Sequence, residues 1–279
     1  MVGRGVAVTV GETYRGVAVR LLAIAGWLFL WHLGYGYLPC YAALALLVPI
    51  VLFVLLGMLE VGLLRRRAFL NMYLRRDSLF FRLLRGGILL FLWQTLKAVV
   101  LGVLLVIGSI SWSPETWLVL GADALLLPAA YLLALRATAS HARPEFQGML
   151  VRRILTPVNA FAALLVIVAV EFHTPHPDLR DRTLVEAVRE RTEQVQTECE
   201  GVGILARGAA AVETASWWLA ETQFTRRELL SVAPAAWLAF LGASLTFLWA
   251  WSRLLLGTLV SPSWLNDLRK NQGREAATR

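Results

Sequence analysis

Charged side chains inside apolar segments are the residues of this sequence best suited to chemistry. Glu60, Lys97 and Asp123 each lie in a stretch that is otherwise long and apolar enough to cross a membrane, and Gln94 adds a polar group three residues before Lys97. Charge is costly in hydrocarbon, so such residues usually face protein or water and often mark ion or proton pathways.

Lys97 and Asp123 lie in consecutive apolar segments, which suggests that they form a pair. At about 1.5 Å per residue, Lys97 lies about 14 Å from the inner end of its segment, and Asp123 lies about 10 Å from the outer end of the next segment. In an antiparallel hairpin the lysine stem can bridge the difference in height. The pair would then either gate an ion pathway or fix the packing of two helices. Glu60 lies near the basic end of its segment and is expected to snorkel or to pair with a neighbouring arginine.

The signals for a metal site or a catalytic centre are weak. His173 and His176 lie close to Glu171 and Asp178 in the sequence, and such groups can bind zinc or copper. Their spacing matches no regular metal-binding pattern, so we expect a solvated loop without a bound metal. The sequence contains no HExxH, no GxSxG and no phosphate-binding Gly-rich loop. It therefore predicts no enzyme activity and no cofactor.

The chain contains two cysteines, Cys40 and Cys199. Two thiols without a CxxC motif give no support for a zinc ribbon, an iron–sulfur cluster or a dithiol redox centre. The topology derived below places both at the outer surface, where an oxidising compartment favours disulfides. They are a candidate disulfide, provided that their Cα atoms come within reach of each other.

The composition indicates a membrane protein. Of 279 residues, 58% are hydrophobic and 16% are charged, whereas about 25% of the residues of a soluble domain are charged. The mean hydropathy is +0.62. The segments that can cross a membrane as helices are 21–38, 41–63, 88–110, 116–135, 154–170 and 232–251. We predict an all-α integral membrane protein with a bundle of about six transmembrane helices.

An arginine-rich stretch, residues 64–85, follows the second of these segments. It interleaves seven arginines and one aspartate with apolar residues, which predicts a basic helix in the inner interface of the membrane. Three roles stay open: a topology signal, a site for anionic lipid headgroups, or a surface for a partner. The candidate lipid-binding residues are Arg65, Arg66, Arg67, Arg75, Arg76, Arg82 and Arg85.

The distribution of charge predicts the orientation of the chain. The segments assigned to the inner face are 1–20, 64–85, 136–153 and 253–279, and they hold 19 lysines and arginines against 5 acidic residues. Glu115 and residues 171–228 are assigned to the outer face and hold 7 basic against 12 acidic residues. Short basic loops stay in the cytoplasm. We therefore expect an inner-membrane protein with both termini cytoplasmic and residues 171–228 outside. The net charge of +8 is assigned to the contact with anionic lipid headgroups, and nucleic-acid binding is not expected.

Residues 171–228 are predicted to form a small helical hairpin outside the membrane. An amphipathic helix is expected over 178–200 and a more apolar one over 204–222, with Gly201 and Gly203 breaking the chain between them. A hairpin this short buries too little surface to be stable alone. It should therefore pack on the bundle or on another protein.

Two adjacent tryptophans, Trp217 and Trp218, are the candidate anchors for a partner in this hairpin. The alternative is that they lie in the lipid interface. The chain thus divides into a five-span membrane region (1–170), the outer helical segment (171–228), and a final transmembrane helix with a cytoplasmic tail (229–279).

The predicted spans contain few polar groups that could line a pathway. This favours a non-catalytic subunit of a larger envelope assembly that binds partners through the outer hairpin or the basic inner face. The alternative is a small ion or solute channel or transporter that uses Lys97 and Asp123. The expected partners are other membrane or periplasmic proteins, or further copies of the chain.

Overall fold

Helices make up almost all of the chain that the computed structural model describes, namely residues 14–73, 88–142, 144–173, 182–225 and 233–260. They are α1 (Tyr14–Gly34), α2 (Cys40–Tyr73), α3 (Ile88–Ser111), α4 (Pro114–Thr138), α5 (Pro144–His173), α6 (Leu184–Glu193), α7 (Glu200–Thr225) and α8 (Ala233–Gly257). These described residues contain no strand. The predicted all-α fold class is confirmed.

Five stretches of helix among the described residues are long and apolar enough to span a membrane. They are Tyr14–Gly34, Cys40–Glu60, Leu90–Ile110, Pro114–Thr138 and Gln147–Val170. A helix pairs its backbone N–H and C=O groups within itself, which hydrocarbon requires because it contains no water. These helices are those of a multi-pass membrane protein.

Two helices are longer than the sequence pattern predicts. The helix α2 has 34 residues and continues through 65–67, where a separate interfacial helix was expected. Residues 64–73 contain no glycine or proline, so nothing in the sequence stops the helix there. The helix α5 begins at Pro144, because proline is favourable in the first turn. Residues 74–85 of the arginine-rich stretch lie outside the described part of the chain.

The last helix, α8, lies at the centre of the bundle. It packs against α2, α3 and α5 and also contacts α1 and α7. Around it, α1 packs on α3 and α4, α4 packs on α5, and α2 packs on α3. The buried residues of α8 include Leu248, Ala250, Trp251, Ser252, Leu254, Leu255 and Leu256.

The helices α2 and α8 cross almost in backbone contact. A Cβ atom on Gly57 would lie 3.4 Å from the Cα atom of Gly257, and a Cβ atom on Gly257 would overlap the carbonyl group of Phe53. Small residues allow membrane helices to approach this closely. The crossing brings Glu60, one turn further along α2, beside α8.

The helices α6 and α7 pack on each other, and α7 also packs on α2, α3 and α8. Gly201 and Gly203 lie in the first turn of α7 rather than in a break, and the chain leaves the helical conformation at 194–199 instead. A Cβ atom on Gly203 would lie 2.5 Å from Thr197 Oγ1. Glycine is therefore needed where the connecting segment folds back against the start of α7.

Candidate functional site

The first polar cluster lies between α2, α5 and α8 and contains a buried ion pair. Arg152 Nε donates to Glu60 Oε2 at 3.0 Å, and Arg152 Nη2 donates to Glu60 Oε1. Arg152 Nη1 donates to the Tyr131 hydroxyl at 3.2 Å and to the Leu259 carbonyl at 3.3 Å. The side chains of Glu60 and Arg152 are 4% and 12% exposed. Each guanidinium nitrogen has an acceptor, as a buried charge requires.

Arg253 of α8 lines the same small cavity without joining the ion pair. The cavity is lined by Gly57, Glu60, Arg152, Thr156, Arg253, Leu256 and Gly257, and its volume is about 10 Å³, which is room for about one water molecule. The Arg253 guanidinium lies over the Trp249 ring, with Cζ 5.5 Å from the ring centroid. The cluster is thus closely packed, with little empty volume between its side chains.

The second polar cluster joins α4, α5 and α8 around Asp123. Trp251 Nε1 donates to Asp123 Oδ2 at 2.8 Å, and Asn159 Nδ2 donates to the same oxygen at 3.2 Å. Asn159 Nδ2 also lies 3.1 Å from Ser252 Oγ. Trp251 and Ser252 are fully buried. The carboxylate therefore connects three helices through hydrogen bonds to Trp251, which is fully buried, and to Asn159, which is partly buried.

One face of α5 supplies a residue to each cluster and connects the two. Arg152, Thr156 and Asn159 follow each other at spacings of four and three residues, which places them on the same side of a helix. Thr156 is fully buried, and its hydroxyl donates to the Arg152 carbonyl at 2.7 Å. This polar face is satisfied by protein groups, so its geometry suits the fixing of helix positions.

The predicted pairing of Lys97 with Asp123 is wrong. Lys97 is exposed on α3, and its Nζ lies 4.7 Å from the centroid of the Trp93 ring. Asp123 instead binds Trp251 and Asn159. The physical reason is the packing order, because α4 packs on α1 and α5 while α3 packs on α2, α7 and α8. The consecutive helices α3 and α4 therefore do not pack on each other at this depth.

Glu60 and Gln94, the other predicted intramembrane polar residues, both contact other helices. Glu60 is 3% exposed and pairs with Arg152, an arginine 92 residues away in the sequence. Gln94 of α3 packs on Gly62 of α2, since a Cβ atom on that glycine would lie 2.9 Å from Gln94 Nε2. The absence of a side chain on Gly62 leaves room for the side-chain amide of Gln94.

Local sequence patterns do not identify the partners that complete both clusters. Arg152 falls in the predicted basic connection between the segments 116–135 and 154–170, although it lies within α5. The grouping of Asn159, Ser252 and Trp251 appears only in the structure. A signal was present, because Asn159 and Ser252 are polar residues in apolar segments. Their partners are more than 30 residues away in the chain, so only the folded structure identifies them.

Cys40 and Cys199, the candidate disulfide, are bonded to each other in the structure, with their Cα atoms 4.9 Å apart. The Glu198 N–H also donates to the Gly36 carbonyl at 3.2 Å. The start of α7 is therefore attached to the connection between α1 and α2 at the end of the bundle that we call the disulfide end.

The two candidate anchor residues, Trp217 and Trp218, are partly buried near the end of α7. Trp218 Nε1 donates to the Arg182 carbonyl at 2.8 Å, two residues before the start of α6. Trp218 thus closes the open end of the α6–α7 hairpin, and its indole N–H is already used within the chain.

The remaining predicted site residues are the weak metal-site candidates, His173 and His176, and the seven candidate lipid-binding arginines. His173 is exposed, and its Nδ1 lies 2.7 Å from the Ala169 carbonyl oxygen; His176 lies outside the described residues. No group of three or more histidines, cysteines or acidic residues suited to a metal occurs in the described part of the chain. Of the seven candidate lipid-binding arginines, the three at 65–67 belong to α2, and the other four lie outside the described residues.

Comparison of this chain with protein-family models, curated proteins and solved structures finds no match.

Proposed function

We propose that the chain is a non-catalytic subunit of a membrane assembly. It is a platform of six transmembrane helices in the cell's inner membrane, with both termini in the cytoplasm and the α6–α7 hairpin outside. The observation that carries this proposal is the packing of the intramembrane carboxylates. Within the bundle, Glu60 accepts hydrogen bonds from Arg152, and Asp123 accepts hydrogen bonds from Trp251 and Asn159.

The dimensions of α8 support its assignment as the sixth span. Its 25 residues extend over about 37 Å at about 1.5 Å per residue, which exceeds a hydrocarbon thickness of about 30 Å. It also lies at the centre of the other long helices. In this proposal α8 crosses the bilayer together with the membrane-spanning helices that it contacts.

The exposed side of α7 is the proposed docking surface for a partner protein. Ile204 and Val212 are 60% and 66% exposed, and Leu205 is 45% exposed. Gly201 and Gly208 lie on the same side, with open space where a Cβ atom would be. These residues follow helical spacing and leave an apolar strip with room for another helix. The disulfide at the start of α7 holds the strip in place on the bundle.

Affinity purification in mild detergent, followed by intact mass measurement of the complex, tests the proposal. We expect a stoichiometric foreign protein with the wild type and its loss with Ile204→Asp plus Val212→Asp, because charge on the strip is not compatible with an apolar contact. Arg189→Glu is the matched control, since Arg189 is exposed on α6. A lone monomer in every preparation, or a partner retained by the double variant, would contradict the proposal.

The alternative function as a channel or transporter receives less support from these contacts. A pathway needs charged groups that face water, and Lys97 and Asp123 do not meet. Asp123→Asn keeps an acceptor for Trp251 and should leave the bundle intact. If this variant abolished ion flux in proteoliposomes while keeping its fold, transport would replace the subunit proposal.

A further inference from the structure

Positive charge exceeds negative charge around the small cavity between α2, α5 and α8. Glu60 uses both carboxylate oxygens on Arg152. Arg253 lines the same cavity and lies within electrostatic range of Glu60 and Arg153. Among the described residues, no carboxylate forms an ion pair with Arg253. Arg152 and Arg253 thus lie beside one glutamate, which is already bound by Arg152, and Arg153 adds a further positive charge near Arg253.

The surroundings of Arg253 make this excess charge costly. Arg253 is partly buried, and the residues that follow it in α8, Leu254, Leu255 and Leu256, are buried. The Trp249 ring covers one side of the guanidinium. A cation in so apolar a setting is stable only with a counter-charge or hydrogen-bond acceptors. The cation–π contact leaves the N–H donors at the edge of the guanidinium free to bind an anion.

The position of the cavity along the bundle indicates where such an anion comes from. Glu60 lies 20 residues after Cys40 in one continuous helix, which is about 30 Å from the disulfide end and matches the thickness of the hydrocarbon layer. The cavity therefore lies at the opposite interface, next to the start of the arginine-rich stretch. Lipid phosphates occupy this level of the membrane.

We infer that Arg253 binds the phosphate group of an anionic phospholipid, with Arg153 of α5 as a second contact. The phosphate sits at the mouth of the cavity, because an interior of about 10 Å³ has no room for it. The Glu60–Arg152 pair stays intact and forms the inner wall. This site is separate from the docking surface on α7, and it lies outside the seven arginines of the stretch 64–85.

Native mass spectrometry of the full chain released from nanodiscs tests the inference. The probes are phosphatidylcholine discs with increasing fractions of phosphatidylglycerol, and phosphatidylcholine discs with inorganic phosphate in the buffer. We expect the wild type to retain one phosphatidylglycerol. Arg253→Gln should need about tenfold more of this lipid for equal retention, as the loss of a charged hydrogen bond predicts. Arg253→Lys should fall between the two.

Arg136→Gln is the matched control, because Arg136 is an exposed arginine near the same end of the bundle and does not line the cavity. It should retain lipid like the wild type, and equal loss in both variants would overturn the site in favour of diffuse surface attraction. Equal retention in Arg253→Gln and the wild type would also overturn it.

Two further outcomes keep the inference testable if Arg253→Gln does not fold. Phosphatidylglycerol should raise the melting temperature of the wild type above its value in pure phosphatidylcholine; no rise would mean that the chain itself neutralises Arg253 and would overturn the inference. Stabilisation by inorganic phosphate alone, lost in Arg253→Lys, would show that free phosphate rather than lipid supplies the group and would overturn the lipid assignment.

Discussion

At the scale of single residues, the intramembrane charges of this protein are explained by the partners that each one finds. Arg152 donates two hydrogen bonds to Glu60, and its Nη1 donates to Tyr131 and Leu259. Asp123 receives two donors from other helices. Lys97, by contrast, extends over Trp93 at the surface of the bundle, as a long cationic side chain does when it reaches toward the interface.

The buried ion pair predicts a strongly non-additive response to mutation. Glu60→Gln or Arg152→Gln alone should lower the free energy of unfolding by about 3–5 kcal/mol, because each leaves one buried charge without its partner. Glu60→Met combined with Arg152→Met should lie much closer to the wild type, since no uncompensated charge remains. Unfolding in mixed detergent micelles measures these differences.

Lys97→Met is the matched control for this series. It removes an exposed charge held by one ring contact and should change the free energy of unfolding by less than about 1 kcal/mol. If the double variant lost as much stability as both single variants together, Glu60 and Arg152 would act independently and the pair would not be a unit.

At the scale of elements, the hairpin shows how local sequence sets the start of a helix. Thr183 and Glu186 form a capping box at the start of α6: the Glu186 N–H donates to Thr183 Oγ1 at 3.3 Å, and the Thr183 N–H donates to Glu186 Oε2 at 3.0 Å. The sequence Thr-Leu-Val-Glu is the signature of this motif. The hydrophobic pattern instead predicts a helix over 178–200, which is more than twice as long as the 10 residues observed.

The capping box predicts that α6 loses protection in acid. Hydrogen bonds from the backbone and then the side chain of Thr183 lower the pKa of Glu186 below its ordinary value of 4.5. A carboxyl group whose pKa is lowered by folding stabilises the helix at pH values above its pKa in the unfolded chain. This contribution is lost as the pH falls through the pKa of the folded protein. Amide exchange of α6, corrected for intrinsic rates, should therefore accelerate in the wild type below about pH 4.5.

Glu186→Gln should show weaker protection of α6 at neutral pH and little further change in acid. Glu193→Gln serves as the control, because Glu193 lies at the other end of the same helix and is 71% exposed. An acid response in Glu186→Gln equal to that of the wild type would assign the effect to another group.

At the scale of the whole molecule, the disulfide and the arginines lie at opposite ends of the bundle. Cys40 begins α2, and the arginines at 65–67 lie in the last turns of the same helix. Disulfides form in oxidising compartments, while basic segments stay in the cytoplasm. The two rules are independent, and both favour the proposed orientation with the disulfide end outside.

This orientation predicts which side of the membrane each end faces. After reduction of intact spheroplasts, a membrane-impermeant maleimide added outside should label Cys40 and Cys199. In a chain with both cysteines replaced by alanine, Ser140→Cys, in the exposed α4–α5 connection, should be labelled only in inverted vesicles. Labelling in the reverse pattern would invert the proposed topology.

What the sequence by itself determined is the all-helical class and the positions of the apolar helices, because both depend on runs of neighbouring residues. The bounds of α3 and the turn after α1 follow from such local patterns. The tertiary structure alone decided which helices face each other. Lys97 and Asp123 looked paired because their segments are consecutive, but α4 packs on α1 and α5.

The candidate site shows the same division. Glu60 and Asp123 were predicted as intramembrane polar residues, because a charge in an apolar run is visible locally. Arg152, Asn159 and Trp251 became their partners only through helix packing, since contacts between residues 36 to 128 positions apart depend on how helices are arranged. Hydropathy places a residue in the membrane, and only the folded bundle determines which neighbour satisfies its charge.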